Sequence, residues 1–241
     1  MNAPDGTADR EPALAFFGAA SAGLSHEINN VLAIINELAG LIGDVVAAAE
    51  RADVRADGAR LRAVLERVSA QIARGKEQVR LLNRFAHSVD GPTGGLDGSE
   101  VLSLAVALGQ RAARLRKVAL ATVAAEAPLR LPGGAFEFLH LFHRSLGLAL
   151  ARAKPGSGVE VRVIEDAGEA VVRLEVAECA PTADAAWPAL LAEAIEVAAR
   201  HGARLDTVLE PGQPGHVSLR LPAAPGAGPA GEGGPRGTRG A

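Results

Sequence analysis

At 241 residues the chain is long enough for one large domain or two small ones with true cores. Hydrophobic residues make up 48 % of it but aromatics only 3 %, which favours helices packed through small residues over an aromatic-rich sheet sandwich. A formal net charge of −3 with both signs mixed excludes the basic footprint of a nucleic-acid binder, and one cysteine, Cys179, excludes an intrachain disulfide and points to a reducing, cytoplasmic setting.

No uninterrupted apolar run reaches the roughly 18–20 residues of a membrane span, and residues 1–10 are polar and acidic, unlike a signal peptide. A disordered lead, no membrane partner and no nucleic-acid partner are therefore expected. From Pro12 to about Glu50 the apolar residues Leu14, Phe17, Leu24, Ile28, Val31, Ile35, Leu38, Ile42 and Val45 recur at alternating spacings of three and four. That is the signature of a long helix packed against other helices. His26 lies two residues from both Leu24 and Ile28, so it points off this seam toward water. Asn30 lies one turn further along the same face. Arg51 to Asp57 is a polar connection with Asp53 and Asp57 as candidate N-caps. A second periodic run follows: Leu61, Leu65, Val68, Ile72, Val79, Leu82, Ala86 and Val89, with Gly75 in the seam. Two such helices joined by a short loop make an antiparallel hairpin over 11–90. One hairpin has little to bury its stripe against, so two are expected to pair as a four-helix bundle in a homodimer.

Gly91-Pro92-Thr93-Gly94-Gly95 reads as a linker. After it the pattern changes. Ser99 to Leu115 reads as a helix, Val118 to Ala124 and Leu129 to Leu131 as short strands, and Ala135 to Ala153 as an apolar helix. Val159 to Val163 and Val171 to Val176 alternate with period two and form a hairpin. Ala189 to His201 is a helix with Gly202 as its C-cap. Arg204 to Leu209 and His216 to Leu221 are a last strand pair. The fold class is α+β: a helical hairpin followed by an α/β sandwich over 96–222. The tail 223–241 is Ala, Pro and Gly with scattered charge, too poor in apolar bulk to fold.

Gly23-Leu24-Ser25-His26-Glu27-Ile28-Asn29-Asn30 resembles the phospho-acceptor motif of bacterial sensor histidine kinases. Leu81-Leu82-Asn83-Arg84-Phe85-Ala86 resembles the end of their dimerisation and histidine-phosphotransfer hairpin, and 96–222 resembles their catalytic, ATP-binding domain. The resemblance implies that His26 accepts a phosphoryl group. It makes Glu27 the acidic neighbour that takes a hydrogen bond or proton from the ring, and Asn30 the residue that positions water for dephosphorylation.

Against that pattern the nucleotide half departs. The family's Mg²⁺-binding asparagine would fall near Leu148 or Ala149, neither of which offers the oxygen that a hard cation needs. Its Asp-x-Gly-x-Gly segment is represented by Glu178-Cys179-Ala180-Pro181-Thr182, where Ala180 and Thr182 put β-carbons in place of the glycines. The lid-like stretch Ala183 to Leu191 holds no glycine. The expectation is a chain that binds neither ATP nor metal. It would pass phosphoryl groups between His26 and the receiver-domain aspartates of response regulators, with Mg²⁺ in the receiver. The alternatives are an active kinase with a divergent ATP site and a non-catalytic pseudokinase or phosphatase that binds a regulator. His140 and His143, three apart on an apolar helix, read as packing residues rather than a metal pair, and Trp187 as a local anchor.

Overall fold

The computed structural model describes residues 10–90, 96–123, 129–131, 133–166, 169–181 and 185–222. The stretches 1–9, 91–95 and 223–241, read above as lead, linker and tail, lie outside the described residues, as does Thr182. The chain divides into two compact units, Met1–Asp90 and Gly91–Ala241.

In the first unit α1 (Arg10–Arg51) and α2 (Gly58–Ala86) pack along their length, with a single 3-10 turn, His87–Val89, after α2. Asp57 caps α2: its Oδ1 accepts from the backbone N–H groups of Ala59 and Arg60 at 3.0 and 3.1 Å. This satisfies two of the donors that a helix start leaves open. Asp53, the other candidate cap, instead sits in the turn with φ of 51°. On α1 the buried residues Leu24, Val31, Leu38 and Val45 recur every seventh position, with Ile28, Ile35 and Ile42 half-buried between them. At the open end, Phe16 and Phe17 close on Phe85 at ring-centroid distances of 5.7 and 5.1 Å. Leu14, expected in the seam, is 68 % exposed, because the two phenylalanines already cover that end.

On α2 the face turned to α1 carries Leu61, Val64, Val68, Gln71, Gly75, Gln78, Leu82 and Phe85, all buried or half-buried. Leu65, Ile72 and Val79, expected in the seam, stay exposed at 52, 44 and 44 %. They form a second apolar stripe, exposed within the hairpin as described. The stretch Pro12–Arg51 is also long and apolar enough to cross a membrane by length and composition, with a window of mean hydropathy 1.9, of which 17 % is buried. Polar residues such as Asn36, Glu37 and Asp44 break the apolar run without lowering that average far, so no unbroken stretch marks it in the sequence.

The second unit begins with β1 (Leu96–Asp97) and α3 (Gly98–Leu115), then β2 (Ala119–Thr122), β3 (Arg130–Leu131) and α4 (Ala135–Arg152). The hairpin β4 (Gly158–Asp166) and β5 (Glu169–Val176) follows, then α5 (Trp187–Arg200), β6 (Arg204–Val208) and β7 (Gly215–Arg220). The two-residue β1, which sequence patterning did not reveal, pairs with β3. The other strands form one sheet in the order β2-β4-β5-β7-β6, parallel at β2/β4 and antiparallel elsewhere. Gly202 takes φ of 66° at the end of α5, the left-handed geometry expected of its cap.

Register assigns the two faces of this sheet. Val159↔Val176, Val161↔Leu174, Val163↔Val172, Val172↔Leu219 and Leu174↔Val217 share one face, all at most 1 % exposed. Leu139, Phe142 and Leu146 of α4 are equally buried, and α4 packs on α3, α5, β5 and β7. Each such side chain contributes about 1.5–3 kcal/mol by leaving water. The other face is charged and places like charges directly opposite: Glu160↔Glu175, Arg162↔Arg173 and Arg204↔Arg220. Direct like pairs are unfavourable. They are offset by diagonal ion pairs, Arg162 with Glu175 at 2.8 Å and Arg220 with Asp206 at 3.0 Å, and by a same-strand pair, Arg162 with Glu160 at 2.9 Å.

Candidate functional site

The hairpin fixes the orientation of the His26 turn. Leu24 and Val31 are 6 and 2 % exposed against α2, so the residues between them are held in rotation about the α1 axis. Ser25, His26, Asn29 and Asn30 are thereby exposed. His26 and Asn30, four residues apart, share one face, as the spacing predicts. Glu27 does not join them. Neighbouring residues on a helix point about 100° apart, and Glu27 turns toward α2, where its side chain is only 13 % exposed. There Arg74 Nη2 donates to Glu27 Oε2 at 3.1 Å.

Arg74 reaches that point because of its neighbour. A β-carbon on Gly75 would lie 3.1 Å from Val31 Cγ1, so the glycine lets α2 approach α1 closely at this level. Asn30, Val31, Ala33, Ile34 and Arg74 line a recess of ≈ 350 Å³ beside the site face. Sequence reading did not single out Arg74. The available signal was register: folding α2 back about the turn after Arg51 sets a basic residue level with Glu27.

Of the positions that the resemblance assigns to a nucleotide site, Leu148 and Ala149 are closed, while Glu178 and Ala180 are half-exposed. Leu148 and Ala149 are 1 and 0 % exposed in the α4 core. Glu178 follows β5, and its Oε1 accepts from Lys154 Nζ at 2.6 Å. The backbone around it is tied to the end of α4: the Lys154 N–H donates to the Glu178 carbonyl at 2.9 Å, the Ala180 N–H donates to the Arg152 carbonyl at 2.6 Å, and Ala153 bridges Cys179. Arg152 is 4 % exposed. Its Nη2 donates to the Leu209 carbonyl at 3.0 Å, and its guanidinium lies 5.8 Å from the Trp187 ring centre. That stack gives Trp187 a partner that the sequence did not reveal. Cys179 is fully buried, as expected of a small core residue, and desolvation raises its thiol pKa while Arg152 opposes the shift.

His140 is 4 % exposed, accepts from Arg144 Nε at 3.3 Å, and has its pKa lowered to about 4. Desolvation is the main cause, with the charges of Arg144, His143, His201 and Arg200 adding to it. Among the described residues no group of three His, Cys, Asp or Glu side chains could hold a metal ion. The residues at the nucleotide-equivalent positions do not fit Mg²⁺-ATP: two are apolar and buried, and the one carboxylate is already paired with Lys154.

No protein-family signature matches the chain, and no curated protein matches it. Its neighbours among solved structures include histidine kinases. The chain is similar to a histidine kinase from Burkholderia phymatum STM815, at 12 % identity and a TM-score of 0.44 over 85 % of this chain and 96 % of that one. It is similar to the Acinetobacter baumannii histidine kinase AdeS, at 11 % identity and a TM-score of 0.41 over 81 and 96 %. It is also similar to a bacterial phosphotransferase, at 14 % identity and a TM-score of 0.46 over 85 and 96 %. At this level of likeness the functional reading rests on the residues themselves.

Proposed function

We propose that this chain is a histidine phosphotransfer protein of a two-component or phosphorelay pathway, related to the histidine kinases but not charged by ATP. One contrast supports the reading. His26 stands exposed on a rigidly seated helix turn, while the positions that would serve a nucleotide are buried or ion-paired. A neutral imidazole is a competent nucleophile near pH 7. Its ring nitrogen attacks the phosphorus of a receiver's aspartyl phosphate. The N–P bond forms, the P–O bond to the aspartyl carbonyl breaks, and the carboxylate leaves with the electron pair. The ring, now an imidazolium, returns its other proton to solvent. Reversal onto a second receiver completes the relay. Mg²⁺ belongs to the receiver in this scheme.

The working form is a cytoplasmic homodimer. Leu65, Ile72 and Val79 on α2 repeat every seventh residue and are exposed, the arrangement that pairs two hairpins into a four-helix bundle. The test is incubation of the full chain with phosphorylated receiver domains and, separately, with labelled ATP and Mg²⁺. Label on His26 from the receivers alone is expected. ATP-dependent label would make it a kinase with a divergent site, and tight receiver binding without label would make it a sequestering protein.

A further inference from the structure

On the charged face of the sheet Arg162, Arg204 and Arg220 are each held by carboxylates: Arg162 by Glu160 and Glu175, Arg204 by Glu169, and Arg220 by Asp166 and Asp206. Arg173, on the middle strand, is not. Its Nε donates to Ser218 Oγ at 3.3 Å, a long bond to a neutral acceptor, and among the described residues no carboxylate pairs with it. Arg162 takes Oε2 of both Glu160 and Glu175, which leaves Oε1 of each without a partner among the described residues. Arg173, Glu160 and Glu175 all line one recess of ≈ 450 Å³ where β4 begins, β5 ends and β7 begins, a volume within the range of small-molecule sites. Ala177, Pro214 and the half-buried ring of His216 complete its walls. Register explains the grouping. Glu160, Glu175 and His216 stand side by side on β4, β5 and β7, and Arg173 lies two residues before Glu175 on the same face, about 7 Å away along the strand.

We infer that this recess is a binding site for a free α-amino acid with a small apolar side chain. An anion alone would meet Arg173 but be repelled by the two carboxylates, and a cation alone would meet the reverse. A ligand with an ammonium and a carboxylate on one carbon satisfies both. Its carboxylate accepts from the Arg173 guanidinium, and its ammonium donates to the open Oε1 atoms of Glu160 and Glu175. Charge-assisted bonds of this kind are the strong ones. Ala177 and Pro214 offer apolar surface to the side chain. His216 adds no charge at neutral pH: burial, and then Arg173, lower its pKa below the usual value, against the smaller opposing pull of Glu175 and Asp206. The inference does not depend on the reading of His26.

L-valine is the probe. The full chain is titrated by calorimetry, with the His216 ring proton followed by NMR and assigned through His216→Gln. Binding in the roughly millimolar range is expected of so small a ligand, and the His216 resonance should move with the same Kd. N-acetyl-L-valine, which lacks the cation, and L-valinamide, which lacks the anion, should each bind at least about tenfold more weakly, the size of one charge-assisted bond. Arg173→Gln should weaken L-valine to a similar degree. Its one long bond to Ser218 contributes little, so circular dichroism should show an intact fold. Should that variant unfold, the half-exposed Glu160 gives the same test from the ammonium side as Glu160→Gln. No response at tens of millimolar L-valine would overturn the inference. So would heat without a His216 shift, equal binding of N-acetyl-L-valine, or wild-type affinity in either folded variant.

Discussion

The two units present different surfaces. In the hairpin, His26 and Asn30 are held out to solvent by a seam that fixes their rotation, and an apolar stripe on α2 is left uncovered. In the α/β unit, polar groups are paired with one another: Lys154 with Glu178, Arg152 with the Leu209 carbonyl and Trp187, and the charged sheet face through diagonal ion pairs. A region that presents unmatched surface is built to meet other molecules. A region whose charges are already matched is built to hold its shape. In the α/β unit the charged groups near the end of α4 meet each other and the backbone rather than open surface.

The largest expected effect breaks the comparison at the hairpin. Leu65→Lys, Ile72→Lys and Val79→Lys together should weaken dimerisation by more than about a thousandfold, or roughly 4 kcal/mol, measured by sedimentation velocity over a concentration series. A wild-type chain that is monomeric throughout would contradict the reading of that stripe.

Next comes the closed site. Leu148→Asn puts an amide into a position that is 1 % exposed, and should cost about 3 kcal/mol in chemical denaturation. Even combined with Glu178→Asp it should confer no ATP binding by calorimetry, because Lys154 and Arg152 still occupy the surroundings.

A comparable or smaller effect concerns pH. The folded-state pKa of His140, about 4, lies below the ordinary 6.5, so between these values the unfolded chain binds the extra proton. The contribution is fully present above pH 6.5 and is lost as pH falls toward 4. A decline of order 1–3 kcal/mol over that window is expected, and His140→Leu should flatten it. The smallest effect is a gain. Gln71 Oε1 is buried with no partner among the described residues. Gln71→Leu should raise stability by about 1 kcal/mol, seen as a higher denaturant midpoint with an unchanged slope.

Much of this division was legible in the sequence, and the failures have physical causes. The exposure of His26 and Asn30 follows from their offset to Leu24 and Ile28, and the element order of the second unit from its periodicities. On α2, hydrophobicity misled in part. The expected seam mixed two stripes: Leu61, Val68, Gly75 and Leu82 do lie on the inner face, while Leu65, Ile72 and Val79 are outer, because the polar Gln71 and Gln78 take the intervening inner positions. Arg74 and Arg152 were not legible because each finds its partner through tertiary register. Arg74 meets Glu27 across the hairpin, and Arg152 meets a backbone carbonyl at Leu209. Leu148 and Ala149 belong to the α4 core.

The most direct test of the central claim is the origin of the phosphoryl group on His26. The full chain is mixed with phosphorylated receiver domains in the absence of ATP, and in parallel with labelled ATP and Mg²⁺ alone, with His26→Ala as the control. Label at His26 from the receivers, none from ATP, and none in a folded His26→Ala chain is the expected result. Label from ATP alone would contradict the account.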